Sequence, residues 1–192
     1  HAASGSTIKL ALVGCGGRGT GAVKNAFSTQ GGPIKLHAMA DLFQHRLDRS
    51  RKELSQYQDH FDVSQDRQFL GFDAYRKAID CLDPGDVVLL TTHAAFRPLH
   101  FEYAANKGVH VFAEKSFATD PVEVRRWFKA AETSEQKNLK VGVGFMWRHS
   151  KARQEVIDRI HDGAIGQLHT LRIYRVHGPV HCPLRKEGDN EL

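Results

Sequence analysis

The chain has 192 residues, 41% hydrophobic and 26% charged, a balance that supports a packed core and excludes intrinsic disorder or a repetitive fibre. Lys and Arg number 27 against 22 Asp and Glu, and the net charge of +5 is spread along the chain, which argues against nucleic-acid binding. No apolar run approaches the ~20 residues that cross a bilayer, so a soluble chain without a membrane partner is expected.

Residues 1–7 are small and lack an initiator Met, which reads as the remnant of a removed leader or an artificial chain edge. Ile8–Val13 is a short apolar strand, followed by glycines and a helical stretch to Gln30, stopped by Gly31-Gly32-Pro33. Ile34–Ala40 is the second strand. Phe43, Leu47, Leu54 and Tyr57 recur at helical spacing, residues 58–66 are loop-like, and Gln68–Leu70 makes a short third strand. A helix over Asp73–Cys81 and the turn Asp83-Pro84-Gly85 lead to the buried-type strand Val87–Thr92. Pro98 opens a helix to Lys107 and Gly108 closes it; Val109–Ala113 is the fifth strand. Asp120-Pro121-Val122-Glu123 starts a helix to about Lys137, since Asp caps, Pro tolerates the first turn and Glu favours it. Leu139–Phe145 is the sixth strand, Lys151–His161 a helix, and Leu168–Val176 a β-branched and aromatic strand of different character.

Strand–helix alternation with short loops means parallel strands and right-handed crossovers. The expectation is an α/β doubly wound sheet of the dinucleotide-binding Rossmann type over residues 8–148. Residues 149–192 then form a linking helix and the first strand of a second α/β domain that is cut short.

Gly14-Cys15-Gly16-Gly17-Arg18-Gly19 matches GxGxxG at Gly14, Gly16 and Gly19. A strand precedes it, a helix follows it, and Asp41 ends the second strand 22 residues after Gly19. Glycines allow the tight turn and let main-chain N–H groups approach a pyrophosphate at a helix N-terminus. Asp41 suits the hydroxyls of an adenosine ribose. Bare strand–helix turns and S-adenosylmethionine-dependent methyltransferases use the same string. Glu114-Lys115 ends the fifth strand, where a doubly wound sheet faces its ligand crevice. Lys115 there could stabilise a developing alkoxide; by itself the pair also reads as a solvated surface couple.

Ile8–Gly19, Asp41, Val87–Thr92, His100, Gly108–Lys115 and Val141–Arg148 together resemble the Gfo/Idh/MocA oxidoreductases, most specifically in VHVFAEKS followed by LKVGVGFMWRH. The resemblance covers about residues 8–176. It implies an NAD(P)-binding Rossmann domain followed by an open-faced α/β substrate domain, in an enzyme that is a homo-oligomer at full length. It further implies hydride transfer between a nicotinamide and a secondary alcohol of a sugar or polyol. By this resemblance Gly14, Gly16 and Gly19 cradle the pyrophosphate and Asp41 holds the ribose; Cys15 and Gly17, in the same loop, are cofactor-binding candidates, and Arg18 lies over the pyrophosphate or is simply exposed. Thr91 and Thr92 lie beside the cofactor, with Glu114 a cofactor-binding candidate; His93, where the family often has Pro, reads as a loop residue or a cofactor contact; and Lys115 sits near the nicotinamide and substrate as the catalytic candidate. Arg148 is a substrate candidate. NAD is expected over NADP because Asp41 would repel a 2′-phosphate, with Arg46 one helical turn on as a partial offset. The family usually has Pro after the Glu-Lys pair; here Ser116 stands. The family's catalytic Asp/His motif is expected beyond Leu192, so this stretch should bind cofactor without catalysing.

Twelve histidines invite a metal reading, but there is no HExxH and no CxxC; His177, His181 and Cys182 form the one tight group, more simply read as loop residues, and no metal is expected. A non-catalytic dinucleotide sensor is the alternative from another class. Some relatives are exported through twin-arginine leaders, so a cytoplasmic or periplasmic location is expected.

Overall fold

The computed structural model describes residues 7–174 together with Val176 and Gly178. The chain divides into two compact units, His1–Met146 and Trp147–Leu192. The first is built on six parallel strands: β1 (Ile8–Val13), β2 (Ile34–Asp41), β3 (Gln68–Leu70), β4 (Val87–Leu90), β5 (His110–Ala113) and β6 (Val141–Val143). The helices are α1 (Gly17–Phe27), α2 (Gln44–Leu54), α3 (Ala74–Asp80), α4 (Arg97–Lys107) and α5 (Pro121–Gln136). Strand order is β3-β2-β1-β4-β5-β6, with every neighbouring pair parallel. The chain works outward from β1 to β3, then returns to the other side of β1 at β4, and this reversal opens a crevice at the carboxyl ends of β1 and β4.

The pleat sorts the two cores. Leu10 and Leu12 of β1 join Val23, Leu36, Leu47 and Leu54 on the face covered by α1 and α2. Ala11 and Val13 point the other way, to Ala78, Ile79, Leu90, Phe101, Ala104 and Val111 under α3, α4 and α5. Burying a side chain such as Leu12 or Phe101 completely stabilises the fold by about 1.5–3 kcal/mol each. Small residues recur where helices come closest to the sheet, as at Ala38, Ala40 and Ala113, all fully buried.

Local signals explain most boundaries. The Asp120 carboxylate accepts from the N–H groups of Val122 (2.8 Å) and Glu123 (2.9 Å), which starts α5 where its residues predict. Several elements are shorter than expected. The α1 helix stops at Phe27 instead of Gln30, because Ser28 and Thr29 turn their N–H and hydroxyl groups back onto Lys24, Asn25 and Ala26 carbonyls. The β4 strand ends at Leu90, since Thr91 and Thr92 bend into the crevice loop, and β6 keeps three residues.

The second unit contains α6 (Lys151–His161), with Ser150 at its N-cap, and an irregular run from Gly166. The strand expected at Leu168–Val176 is not formed: residues 168–174 and Val176 have no ladder partner, and Leu171, Ile173 and Tyr174 are exposed. Residue type alone does not make a strand, because its main-chain groups need a neighbour to pair with. Residues 1–6, and with them most of the expected leader remnant, and the group His177, His181 and Cys182 lie outside the described residues. No helix among the described residues is long and apolar enough to cross a membrane.

Candidate functional site

The glycine loop closes the crevice at the end of β1. Gly14 has φ of +100°, a region costly for any side chain, and a methyl there would lie 2.7 Å from Thr92 N and 2.8 Å from the Thr91 carbonyl carbon. Gly19 faces inward: a methyl would lie 2.0 Å from Gly14 O and 2.5 Å from Thr91 Oγ1. Gly16 and Gly17 face open space. Two of the three motif glycines are therefore required by packing, whereas Gly16 is the N-cap of α1 and has open space beside it. The α1 helix begins at this loop with no side-chain cap and no acid in its first turn, so its N-terminal N–H groups and their partial positive charge meet that open space.

Thr91 locks the loop to the sheet, its hydroxyl donating to Gly14 O (2.6 Å). Asp41 does so from the other side. Its carboxylate accepts from Cys15 N (2.6 Å) and Phe43 N (2.9 Å), and the residue is buried. The expected ribose ligand is thus also the anchor of the glycine loop, each oxygen keeping lone pairs for further donors. Cys15 points away from the opening, its thiol on Ala40 O, and burial followed by the Asp41 charge pushes its pKa up. Arg46, expected to offset Asp41, lies exposed over the Phe43 ring at 4.8 Å.

Beyond Asp41 a cleft runs between the ends of β1, β2, β3 and β4, with Val13, Leu42, Phe72, Tyr75, Thr92, Phe96 and His100 in its walls. Phe72 and Phe96 stand exposed at its mouth, ring centroids 6.3 Å apart. His100 is buried at its floor, stacked on Tyr75 (4.2 Å) with Nδ1 3.3 Å from Thr92 Oγ1. Burial, then the Arg97 charge, lowers its pKa to about 4. A lowered histidine pKa leaves the native state full stability above the unfolded value near 6.5 and removes it as pH falls toward 4, because only the unfolded chain takes up the proton in that window. His100→Gln should therefore flatten the fall in stability between pH 6.5 and 4.5 by an amount on the order of 2–3 kcal/mol. Urea unfolding of both proteins across that range checks it; parallel curves would show that His100 is not the titrating group.

On the far side of the crevice, the loop after β5 carries Glu114, Lys115 and Ser116. Lys115 is exposed and its ammonium has no hydrogen-bond or ion-pair partner among the described residues. Glu114 is buried, unlike a solvated surface partner. Its carboxylate pairs with Arg18 of the glycine loop, which donates from Nε at 2.7 Å and Nη2 at 2.5 Å, and it packs so closely on Gly144 that a methyl there would touch it at 2.8 Å. Arg18, expected over the pyrophosphate or simply exposed, is exposed and joins the two loops. The Lys115–Ser116 peptide is cis. His93 is exposed on the loop before α4, and Thr92 presents its carbonyl to Arg97. Arg148 belongs to the second unit, where its carbonyl accepts from Gln154.

Arg97, Tyr75, Phe72 and Phe96 were not marked as site residues in the sequence. Phe72 and Phe96 follow strand ends, which is a usable signal; Arg97 carried none, because a basic residue at a helix start reads as solvated. Among the described residues no group of three or more His, Cys, Asp or Glu is placed to hold a metal ion. What the arrangement can do is bind an extended anion-bearing ligand: amides at the glycine loop, an acid and an apolar cleft on one side, and an unpartnered cation on the other.

No protein-family model matches the chain, and no curated protein matches it. Solved structures do. A scyllo-inositol dehydrogenase from Lactobacillus casei, with bound NAD(H) and scyllo-inositol, is 28% identical with a TM-score of 0.64, over 84% of this chain and 43% of that one. A myo-inositol 2-dehydrogenase from Lactobacillus plantarum is 24% identical with a TM-score of 0.67 over the same shares. A 3-ketoreductase from Actinomadura kijaniata in complex with NADP is 22% identical with a TM-score of 0.62, over 84% and 46%. The chain spans less than half the length of these structures. Its six-stranded parallel sheet with flanking helices is a Rossmann-like α/β fold, similar to that in inositol dehydrogenases and other oxidoreductases of the Gfo/Idh/MocA type.

Proposed function

We propose that the chain is the nucleotide-binding part of an NAD(P)-dependent oxidoreductase that acts on a secondary alcohol of a sugar or polyol. The observation that carries the reading is the glycine loop at the β1/β4 crevice, where Gly14 and Gly19 have no room for a side chain while Gly16 opens onto an uncapped helix N-terminus. Packing accounts for the first two glycines; the third, the N-cap of α1, leaves the main chain open to the close approach of a ligand. The fold neighbours are oxidoreductases, two of them holding NAD(H) or NADP.

When bound, a nicotinamide cofactor supplies the hydride chemistry. The loop N–H groups from Gly16 onward hold its pyrophosphate, and Asp41 accepts from its ribose hydroxyls while keeping the loop in place. The apolar cleft between Phe72 and Phe96 excludes water from the adenine. Lys115, exposed and unpaired at the end of β5, donates a hydrogen bond to the substrate oxygen and stabilises the negative charge that grows there. We place the acid/base group that exchanges the alcohol proton in the substrate domain.

NADH titration by fluorescence or calorimetry tests the reading: saturable binding is expected, and no signal with NADH alongside binding of S-adenosylmethionine would replace it with a methyltransferase. NAD is the preferred form, because a 2′-phosphate beside the buried Asp41 carboxylate is repelled. Asp41→Ser should move preference toward NADP, and tighter binding of NADP than NAD by the unaltered protein would refute the preference. The variant also loses an acceptor for Cys15 and Phe43, so affinity for both forms should fall together with the shift.

A further inference from the structure

Among the described residues, Arg97 is the only Lys or Arg that is buried. It sits at the first position of α4, and its guanidinium faces main-chain carbonyls from two different loops. Nε donates to Thr92 O at 2.9 Å, in the wall of the cleft. Nη1 donates to both Glu114 O and Ser116 O. Those two carbonyls flank Lys115. Burying a guanidinium is costly unless its donors are satisfied, and here three main-chain carbonyls accept from it.

Lys115 needs such support. Its side chain touches no partner that would orient it, and Ser116 is exposed and leaves its own φ unrestrained. The Lys115 N–H reaches Glu114 Oε2 at 3.3 Å, and that carboxylate is in turn held by Arg18. The direction in which Lys115 projects is thus set through its main chain, gripped at residues 114 and 116 by one planar fork. The same fork ends on Thr92, so the cleft wall and the Lys115 loop share a single rigid tie.

We propose that Arg97 is a positioning residue: it fixes the Lys115 loop against the cleft wall and so aims the Lys115 ammonium. The functional consequence rests on the reading above, whereas the structural tie does not. A lysine at position 97 keeps the charge but cannot reproduce a fork that serves three acceptors.

Two measurements on Arg97→Lys decide it. Hydrogen exchange followed by mass spectrometry should show the peptide 113–118 exchanging roughly 10-fold or more faster than in the unaltered protein, the scale of losing a hydrogen bond to a charged group, with the β4 peptide 87–90 unchanged. Adding Ser116→Pro, which restrains φ from within the loop, should bring exchange in 113–118 back toward the original rate. Unchanged exchange there, or an equal rise in β4, overturns the tie. If Arg97→Lys alone does not fold, recovery of folding by Ser116→Pro supports the tie and failure to recover overturns it. In the active oxidoreductase, Arg97→Lys should lower kcat with little change in KM for NADH, and combining it with Lys115→Ala should be no slower than Lys115→Ala alone. Multiplicative losses would show that Arg97 does not act through Lys115. A protein that shows the exchange effect but binds no NADH leaves the tie standing and removes the oxidoreductase reading instead.

Discussion

If the proposed oxidoreductase reading holds, Lys115→Ala should lower turnover by about 100- to 1000-fold while NADH affinity stays close to its original value. The size is that of removing one preorganised donor from a site where negative charge develops in the transition state. The split between turnover and affinity follows from placement. The features proposed to face the cofactor, the glycine loop with Asp41 and the cleft from Phe72 to Phe96, are on the β1–β4 side, whereas Lys115 projects from the end of β5 with no side-chain partner among the described residues. Its removal disturbs no hydrogen bond or ion pair of its side chain, so the melting temperature should move little. Steady-state kinetics with NAD and a panel of sugars and polyols, beside an NADH titration, measures both quantities. Unchanged turnover would reduce Lys115 to an exposed charge, and an equal loss in affinity would make it a cofactor ligand instead.

The second large effect separates two glycines of one motif. Gly19→Ala should destabilise the fold by about 2–3 kcal/mol or more, since the added methyl would lie 2.0 Å from Gly14 O and 2.5 Å from Thr91 Oγ1, both in the locked core of the loop. Neither neighbour can yield: one is main chain, and the other is the hydroxyl that pins Gly14. Gly16→Ala meets open space and should change stability by no more than about 1 kcal/mol, the scale of an N-cap exchange. Its methyl would nevertheless stand where the ligand approaches the helix N-terminus, so NADH affinity should fall about 10-fold or more, roughly 1.4 kcal/mol. Thermal melts and NADH titrations of the two variants measure the contrast. A Gly16→Ala protein that binds NADH as before would mean that the pyrophosphate does not lie on this loop, and the oxidoreductase reading would lose its main support.

Local chemistry made much of the fold readable. The Asp120–Glu123 helix start, the turn at Asp83-Pro84-Gly85 and the apolar runs of β1, β2, β4 and β5 act over a few residues, so composition and spacing were enough to find them. The strand at Leu168–Val176 failed on the same evidence. Its β-branched and aromatic residues are suited to a sheet, but strand pairing is non-local, and no partner meets residues 168–174.

The site divides along the same line. The pattern of glycines with a strand before them and a helix after them was by itself enough to locate a tight strand–helix turn, because the close approaches at Gly14 and Gly19 leave no room for a side chain. The second role of Asp41, as anchor for Cys15 and Phe43, needed coordinates, since residue 41 meets residue 15 only through the pairing of β1 with β2. The ion pair of Arg18 with Glu114 joins residues 96 apart, and the Arg97 fork reaches across the β4–β5 connection to carbonyls that any residue would supply. Main-chain acceptors leave no trace in residue identity. Residue chemistry thus located the tight glycine turn, whereas only the tertiary structure decided which charges are buried, which are tied together, and that Lys115 has no side-chain partner among the described residues.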